Sequence, residues 1–380
     1  MVFLQYTRKE KMFYYLSKFS DLFGPLRLFE YITFRAGGAA ATAFLIVVLF
    51  GGRFAAMLRN FNIRAAARYD GVLPADVLDK RKNSTPCMGG ILLIAGVLTG
   101  ALLWSNWSAS NGICWILMGG TLGFALIGFA DDFLKVFKQK RDGLPGKLKL
   151  AGQFLIGALV WWLLWRNPEL NRIMDKLVIP FVKNPVDLGS WWWILPVFSV
   201  AIIIVGASNA VNLTDGKDGL ASGCTIFCAL SYAVFAYLMG HQIFASYLDL
   251  PYINGIGEAV VFAAALGGGC VGFLWHNCHP ASMFMGDTGS LALGGAIGML
   301  AVLSRQEILL ALIGGVYVME IISVMLQVAS FKLTGKRIFL CTPIHHHFER
   351  KGWTETQIVV RFWILSGIFA LMALATLKLR

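Results

Sequence analysis

The feature that most constrains the fold is a series of ten apolar segments in a chain of 380 residues. Most of them are about 17–22 residues long, enough for an α-helix to cross the ~30 Å hydrocarbon core of a bilayer. Composition agrees, because 57% of the residues are hydrophobic and only 14% are charged, against about 25% charged in soluble domains. The sequence therefore predicts an all-α integral membrane protein and excludes a soluble domain, a disordered chain and a secreted disulfide scaffold.

The predicted helices divide the chain into two parts, an N-terminal interfacial segment, 1–33, and a single ten-helix transmembrane domain, 34–380. Because the number of crossings is even, both termini are expected on the same side of the membrane. We expect the crossings at 34–52, 88–104, 112–130, 150–165, 191–211, 219–239, 259–275, 289–304, 308–331 and 357–377.

The net charge of +12 is distributed unevenly between the loops. The loops after the first, third and ninth predicted segments are rich in lysine and arginine, whereas those after the second and sixth contain neither. By the positive-inside rule, the basic loops lie in the cytoplasm and both termini lie on the periplasmic side. We expect no nucleic-acid binding, because the basic residues follow the membrane segments closely.

Unusual polar clusters occur in four of the loops assigned to the cytoplasm. This common placement predicts a cytoplasm-facing cleft and argues against a transporter or channel, whose ion-binding acids lie near the bilayer midplane. The clustered residues are Asp131, Asp132, Asn209, Asn212, Asp215, Asp218, Asn277, Asp287, His345, His346 and His347.

The aspartates have a specific chemical interpretation. Adjacent carboxylates such as Asp131 and Asp132 repel each other unless a cation lies nearby, and their hard oxygens suit Mg²⁺ together with phosphate. Asp287 lies in a glycine-flanked turn before the eighth segment, where a metal and a phosphate can meet a helix N-terminus. The alternative is that these residues only cap helix ends.

The string NAVNLTDGKDG carries a polar residue at every third position. Gly216 and Gly219 allow its backbone to turn sharply and to approach a ligand, although asparagine and aspartate also form ordinary turns. Lys217 is equally compatible with a phosphate contact and with a surface position. The polar residues are Asn209, Asn212, Asp215 and Asp218.

The three adjacent histidines, His345–His347, are too close together to chelate one Zn²⁺ as an i, i+4 pair does. Imidazoles can donate hydrogen bonds to phosphate oxygens, which is the interpretation we favour. Phe284 is suitably placed in the sequence to stack on a flat base. Lys135 lies one helical turn after Asp131 and can contact a phosphate or pair with that carboxylate.

Taken together, the strings TPCMGG, ADDFLK, NAVNLTDGKDGLA, FLWHNCHPASMFMGDTGSLALGG and PIHHHFERKGW resemble the polyprenyl-phosphate N-acetylhexosamine-1-phosphate transferases. PIHHHFE is typical of the branch that uses UDP-MurNAc-pentapeptide, rather than a sister enzyme using UDP-GlcNAc. The resemblance covers residues from about Tyr31 to Arg380. It implies a Mg²⁺-dependent enzyme of the bacterial inner membrane, with UDP-MurNAc-pentapeptide and undecaprenyl phosphate as its substrates. A homodimer is compatible with the sequence.

The resemblance also implies roles for individual residues. The metal site would comprise Asp287 with Asp131 and Asp132, and catalysis would involve Lys135, Lys147, His345, His346 and His347. Substrate binding would involve Lys82, Cys87, Asn209, Asn212, Asp215, Asp218, Asn277, Phe284 and Gln327.

Three positions depart from the family pattern. Cys87 replaces a threonine, Ser84 replaces a glycine, and Lys217 replaces a residue that is usually apolar. We expect these departures to alter details of the pocket and not the reaction.

Overall fold

Helices form most of the part of the chain that the computed structural model describes, which is residues 13–61, 63, 85–107, 112–138, 143–182 and 185–378. The first eight helices are α1 (Ile32–Asn60), α2 (Gly90–Trp104), α3 (Ile113–Phe137), α4 (Gly146–Trp165), α5 (Pro168–Met174), α6 (Ile194–Val197), α7 (Gly206–Thr214) and α8 (Leu220–Met239). The others are α9 (Gln242–Tyr247), α10 (Gly257–Asn277), α11 (Gly286–Leu303), α12 (Leu310–Ile313), α13 (Gly315–Thr334), α14 (Ile344–Arg350) and α15 (Glu355–Ala375).

Nine helices within the described ranges are long and apolar enough to cross a membrane. The prediction of an all-α, multi-pass membrane protein is therefore confirmed. The second predicted crossing, 88–104, corresponds to α2, which has only 15 residues. At 1.5 Å per residue this helix spans about 22 Å, less than the ~30 Å of a hydrocarbon core. It packs against α1, α10 and α11.

The fifth predicted crossing is not a regular α-helix. The apolar helical stretch Gly189–Thr214 contains a π-helix, Phe198–Val205, between α6 and α7. Such segments interrupt the normal hydrogen-bond ladder and are frequent near functional sites. Here the π-helix immediately precedes the asparagine-rich α7.

The centre of the bundle is α11, in which every residue is buried. It packs against α3, α7 and the π-helix. Gly294 allows the close approach of α7, because a β-carbon there would lie 2.4 Å from the backbone oxygen of Ala207. The residue that begins this central helix is therefore enclosed by protein.

Two buried ion pairs lie at the end of the bundle that is remote from the polar clusters. Arg35, in the first turn of α1, contacts both carboxylate oxygens of Glu258 at 2.6 and 2.7 Å. Arg305 pairs with Glu307 directly after α11. Because each buried charge has a partner, the cost of removing it from water is offset.

Short elements of secondary structure lie in regions that the sequence analysis treated as loops between crossings. They are α5, α9 and a two-stranded antiparallel sheet of β1 (Lys176–Leu177) and β2 (Val186–Asp187). The predicted interfacial segment contains two 3₁₀ helices, Phe13–Phe19 and Gly24–Glu30. Residues 1–12 lie outside the described part of the chain.

Candidate active site

Three aspartates meet where α3 passes the first turn of α11. Asp131, Asp132 and Asp287 each offer one carboxylate oxygen, and these oxygens lie within 4.8 Å of one another. Gly128 permits this close packing, because a β-carbon there would lie 2.1 Å from the backbone oxygen of Asp287. The structure thus brings together two motifs that are more than 150 residues apart in the sequence.

Asp132 is held by the start of α11. Its Oδ1 accepts a hydrogen bond from the backbone N–H of Asp287 at 3.0 Å. Its Oδ2 accepts the backbone N–H of Thr288 at 2.9 Å and the Thr288 hydroxyl at 2.7 Å. A carboxylate in this position satisfies free N–H groups and is favoured by the helix dipole. Asp132 therefore fixes the first turn of α11 and, with it, Asp287.

Two lysines neutralise much of the charge on the other two aspartates. The Lys135 ammonium pairs with Asp131 and lies 2.9 Å from Asp287 Oδ2. The Lys149 ammonium lies 2.7 Å from the same Asp287 oxygen and 3.9 Å from Asp131 Oδ2. Both lysine side chains are largely buried, so the pairing takes place in a medium that screens charge less than water does.

Lys149, and not the predicted Lys147, occupies this position. The two residues are two apart in α4 and therefore point about 200° away from each other. Lys147 is exposed, whereas Lys149 reaches the aspartates. Which of the two lysines faces the cluster depends on the rotation of α4 about its axis, and the family motif did not distinguish them.

The two asparagines of α7, Asn209 and Asn212, contact different groups of residues. Asn212 Nδ2 donates to Asp287 Oδ1 at 2.9 Å and to the Ser290 hydroxyl at 2.8 Å, so Asn212 belongs to the aspartate cluster. Asn209 Nδ2 instead donates to Gln153 Oε1 at 2.6 Å and to the backbone oxygen of Val205. Gln153 is fully buried in α4 and was not singled out from the sequence.

A second group of predicted residues joins the loop after α7 to the loop after α10. Asp218 Oδ2 accepts hydrogen bonds from His279 Nδ1 at 3.0 Å and from the backbone N–H of Ala281 at 3.1 Å. Asn277 Oδ1 accepts the backbone N–H of Gly219 at 3.0 Å. Glu355, which the sequence analysis missed, accepts the backbone N–H of Asp218 at 3.0 Å.

Residues Cys87 and Phe284 lie on segments that contact each other beside the aspartates. The backbone N–H of Phe284 donates to the oxygen of Pro86 at 2.8 Å. A β-carbon at Gly286, where φ is +74°, would lie 2.7 Å from Asp132 Oδ2 and 3.1 Å from the Cys87 sulfur. The departure from threonine at position 87 therefore lies next to the acidic cluster. Lys82 lies outside the described residues, and Asp215 is half-buried.

The three histidines form part of α14 and have three different partners. His345 is buried, and its Nδ1 lies 3.0 Å from Glu320 Oε1 of α13. His346 Nδ1 lies 2.9 Å from Glu349 Oε2. His347 Nδ1 accepts the backbone N–H of Leu340 at 3.1 Å. Successive helical residues point about 100° apart, which explains why the histidines do not converge on one point.

Gln327 supports a loop. Its side-chain oxygen accepts the backbone N–H groups of Ile338 and Phe339 at 3.0 and 2.9 Å. Its nitrogen donates to the Phe339 oxygen at 3.0 Å. The amide thus organises the chain between α13 and α14, whereas the sequence analysis assigned it to substrate binding.

These clusters share one end of the bundle. The ends of the helices that meet there are the C-terminal ends of α3, α7, α10 and α13 and the N-terminal ends of α4, α11 and α15. They present carboxylates, ammonium groups, amides and imidazoles together. Such a set of side chains is suited to binding a phosphorylated substrate and a divalent cation.

Comparison with known proteins identifies the family. The family described as glycosyl transferase family 4 matches residues 114–305, which include all three clustered aspartates. Three curated relatives carry the name phospho-N-acetylmuramoyl-pentapeptide-transferase. The relative from Methylacidiphilum infernorum is 48% identical over 370 residues, covering 97% of this chain and 100% of the relative.

The relatives from Desulfotalea psychrophila and Rhodopseudomonas palustris are each 47% identical, over 372 and 373 residues. In both cases the match again covers 97% of this chain and 100% of the relative. The resemblance predicted from the motifs is confirmed, and the chain belongs to the phospho-N-acetylmuramoyl-pentapeptide-transferase family.

Proposed function

We propose that this chain transfers phospho-MurNAc-pentapeptide from UDP-MurNAc-pentapeptide to undecaprenyl phosphate. The products would be UMP and lipid I, the first lipid-linked intermediate of peptidoglycan synthesis. The observation that supports this most directly is the buried cluster in which Lys135, Lys149 and Asn212 all contact Asp287. In a chain of this family, the three carboxylates and two ammonium groups of that cluster would become net positive once a divalent cation binds, which suits phosphate groups.

Phosphoryl transfer depends mainly on positioning and on neutralising charge. Lys135 and Lys149 are already aligned by carboxylates, so a substrate diphosphate would meet ammonium groups whose positions are fixed. The acceptor phosphate is ionised near neutral pH, so its attack does not require a strong base.

The aspartate cluster fits Mg²⁺ because three hard oxygen donors lie within 4.8 Å of one another, and Mg²⁺ prefers such ligands. We assign the binding of the ion to Asp287 and Asp131, and the support of Asp287 to Asp132, whose two oxygens already accept three hydrogen bonds from α11. When bound, Mg²⁺ would neutralise charge on the diphosphate and on the leaving UMP.

The two loops joined through Asp218 and Asn277 would bind the nucleotide. Their backbones are held together by the hydrogen bonds from Gly219 and Ala281, so the pocket is organised before substrate enters. Asp215 and Phe284 border the same loops and would contact the uridine. Because UDP-MurNAc-pentapeptide is water-soluble and charged, we place this end of the bundle at the cytoplasmic face of the bacterial inner membrane.

The proposal is tested with purified protein in detergent, supplied with Mg²⁺ and undecaprenyl phosphate. Release of UMP is measured with UDP-MurNAc-pentapeptide and, separately, with UDP-GlcNAc. We expect release only with the first donor. Release only with UDP-GlcNAc would instead identify a sister transferase. No release with either donor would contradict the proposed reaction.

A further inference from the structure

Lys217 is a buried cation at the centre of the loop that carries Asp215 and Asp218. Its side chain is 4% exposed, and its ammonium lies 2.5 Å from Glu349 Oε1. Glu349 belongs to α14, the helix of the three histidines. The surface position that the sequence also allowed for this lysine is therefore wrong, and its ammonium is directed at a glutamate.

The second oxygen of Glu349 extends this contact to a histidine. Glu349 Oε2 lies 2.9 Å from His346 Nδ1, while Oε1 accepts from Lys217. The carboxylate thus bridges an ammonium group and an imidazole. Charge-assisted hydrogen bonds of this kind are about twice as strong as neutral ones. We refer to these three residues as the Lys217–Glu349–His346 chain.

Two neighbouring contacts hold the same loop against the same region. Gly216 packs on His345, since a β-carbon at Gly216 would lie 2.5 Å from His345 Nε2. On the other side of Lys217, the backbone N–H of Asp218 donates to Glu355 Oε1 at 3.0 Å. The loop between α7 and α8 is therefore attached to α14 and to the start of α15 through three successive residues.

From this geometry we propose that Lys217 is a positioning residue, which acts through Glu349 to fix His346 and to hold the loop of Asp215 and Asp218 against the histidine helix. The kinetic consequence of this inference rests on the proposed function, because it requires that loop to bind the UDP-sugar. Lysine at this position is one of the three departures from the family pattern noted in the sequence.

The electrostatics of the Lys217–Glu349–His346 chain agree with this role. Burial opposes the ionisation of Glu349, but hydrogen bonds from His346 and Lys217 outweigh it and lower the pKa of Glu349 to about 2. Burial lowers the pKa of His346, while its hydrogen bond to Glu349 opposes that shift. The charged and titratable groups that shift the pKa of His346 include Glu349, His345 and Lys217. The Lys217 charge is one of the causes that lower this pKa.

A double-mutant cycle tests the kinetic part. We expect Lys217→Met to lower kcat/KM for UDP-MurNAc-pentapeptide by about tenfold, mainly through a higher KM, because the loop of Asp215 and Asp218 loses its attachment to α14. Residues that contact each other couple energetically, so the effect should depend on Glu349. In a Glu349→Gln background the same substitution should have no further effect. Methionine conserves side-chain length and resembles the residue usual in the family, so the variant should fold. Lys332→Met, which removes an exposed lysine of α13, is the matched control.

A lysine that contacts substrate directly would give a different result. The loss caused by Lys217→Met would then be equal in the wild-type and Glu349→Gln backgrounds, and this result would overturn the proposal. Wild-type kinetics for Lys217→Met would overturn it as well.

Nuclear magnetic resonance tests the structural part without any substrate. In the full chain in nanodiscs, the ring ¹⁵N signals of His346 are assigned with His346→Gln and followed against pH. We expect Lys217→Met to raise the pKa of His346, because a neighbouring positive charge is removed, and Lys332→Met to leave it unchanged. An unchanged His346 titration in Lys217→Met would contradict the inference even in an active enzyme. Absence of UMP release from the wild type would contradict only the proposed function.

Discussion

A single oxygen of Asp132 accepts two hydrogen bonds from Thr288, one from its backbone N–H at 2.9 Å and one from its hydroxyl at 2.7 Å. This contact joins α3 to the first turn of α11, directly beside Asp287. The orientation of the proposed metal ligand therefore depends on a residue that is itself occupied by protein hydrogen bonds. The first prediction follows from that dependence.

Thr288→Val should lower the rate of UMP release strongly and the melting temperature only slightly. Loss of the hydroxyl removes one buried hydrogen bond, which contributes about 1 kcal/mol, but it also loosens the turn that carries Asp287. The control is Thr121→Val, which removes an equally buried hydroxyl bonded to Leu117 in the same helix α3. Thermal unfolding and UMP release are compared. Equal activity in the two variants would show that the Thr288 hydroxyl has no positioning role.

Asp287→Asn should leave the protein folded and lower turnover about 100-fold or more, a loss typical of removing one electrostatic contact to a transition state. The binding of Mn²⁺, used as a probe for Mg²⁺ and followed by electron paramagnetic resonance, should weaken in parallel. Asp249→Asn, at an exposed position between α9 and α10, serves as the control. Unchanged Mn²⁺ binding in Asp287→Asn would exclude this residue as a metal ligand.

Two neighbouring lysines provide a matched pair. Lys149→Met should lower UMP release by about tenfold or more, because it leaves Lys135 as the one ammonium group that neutralises Asp287 among the pairs described above, and electrostatic stabilisation dominates phosphoryl transfer. Lys147→Met changes the same residue type in the same helix at an exposed position and should remain near wild-type activity. The reverse order of activities would show that α4 is rotated differently in the working enzyme.

Glu349 should make stability depend on acid pH. Its pKa is lowered from an ordinary 4.5 to about 2 in the folded protein, so the unfolded chain binds a proton first as the pH falls. The stabilisation is complete above pH 4.5 and is lost as the pH falls toward 2. The difference in melting temperature between wild type and Glu349→Gln should narrow over that window. Glu30→Gln, at an exposed glutamate, should show no such difference, and a constant gap for Glu349→Gln would contradict the low pKa.

The accessible cysteines report the orientation in the membrane. Among the described cysteines, Cys278 is exposed, Cys87 and Cys341 are half-buried, and the other four are buried. All three accessible thiols lie at the end of the bundle that holds the aspartates. A membrane-impermeant maleimide should label them in inside-out vesicles and not in intact spheroplasts. A variant with serine at these three positions and Ser246→Cys at the other end should give the opposite pattern. Labelling of Cys278 in spheroplasts would reverse the assigned orientation.

The sequence predicted the bundle well because apolar length and the spacing of loops determine which segments can cross a bilayer. It also selected Asp131, Asp132, Asp287 and Asn212, which the structure brings together. The difference between Lys147 and Lys149 was not predictable, since it depends on how α4 is rotated against α3.

The partners of other polar residues also depend on tertiary contacts. Glu320 is a buried acid in α13, and only the structure identifies its partner as His345, which follows it by 25 residues. Gln327 has the residue type of a substrate ligand, yet its amide is occupied by the backbone of a nearby loop. Lys217 was ambiguous because the glutamate that it meets is more than 130 residues away.

The complete enclosure of α11 has a further consequence. Lipids touch the outer helices, whose exposed faces can tilt or shift as bilayer thickness and composition change. The helix that begins at the proposed metal ligand contacts only protein along its whole length, and glycines hold its neighbours against it. Asp287, at the start of this helix, is therefore shielded from direct lipid contact, so changes in the bilayer can reach it only through the neighbouring helices.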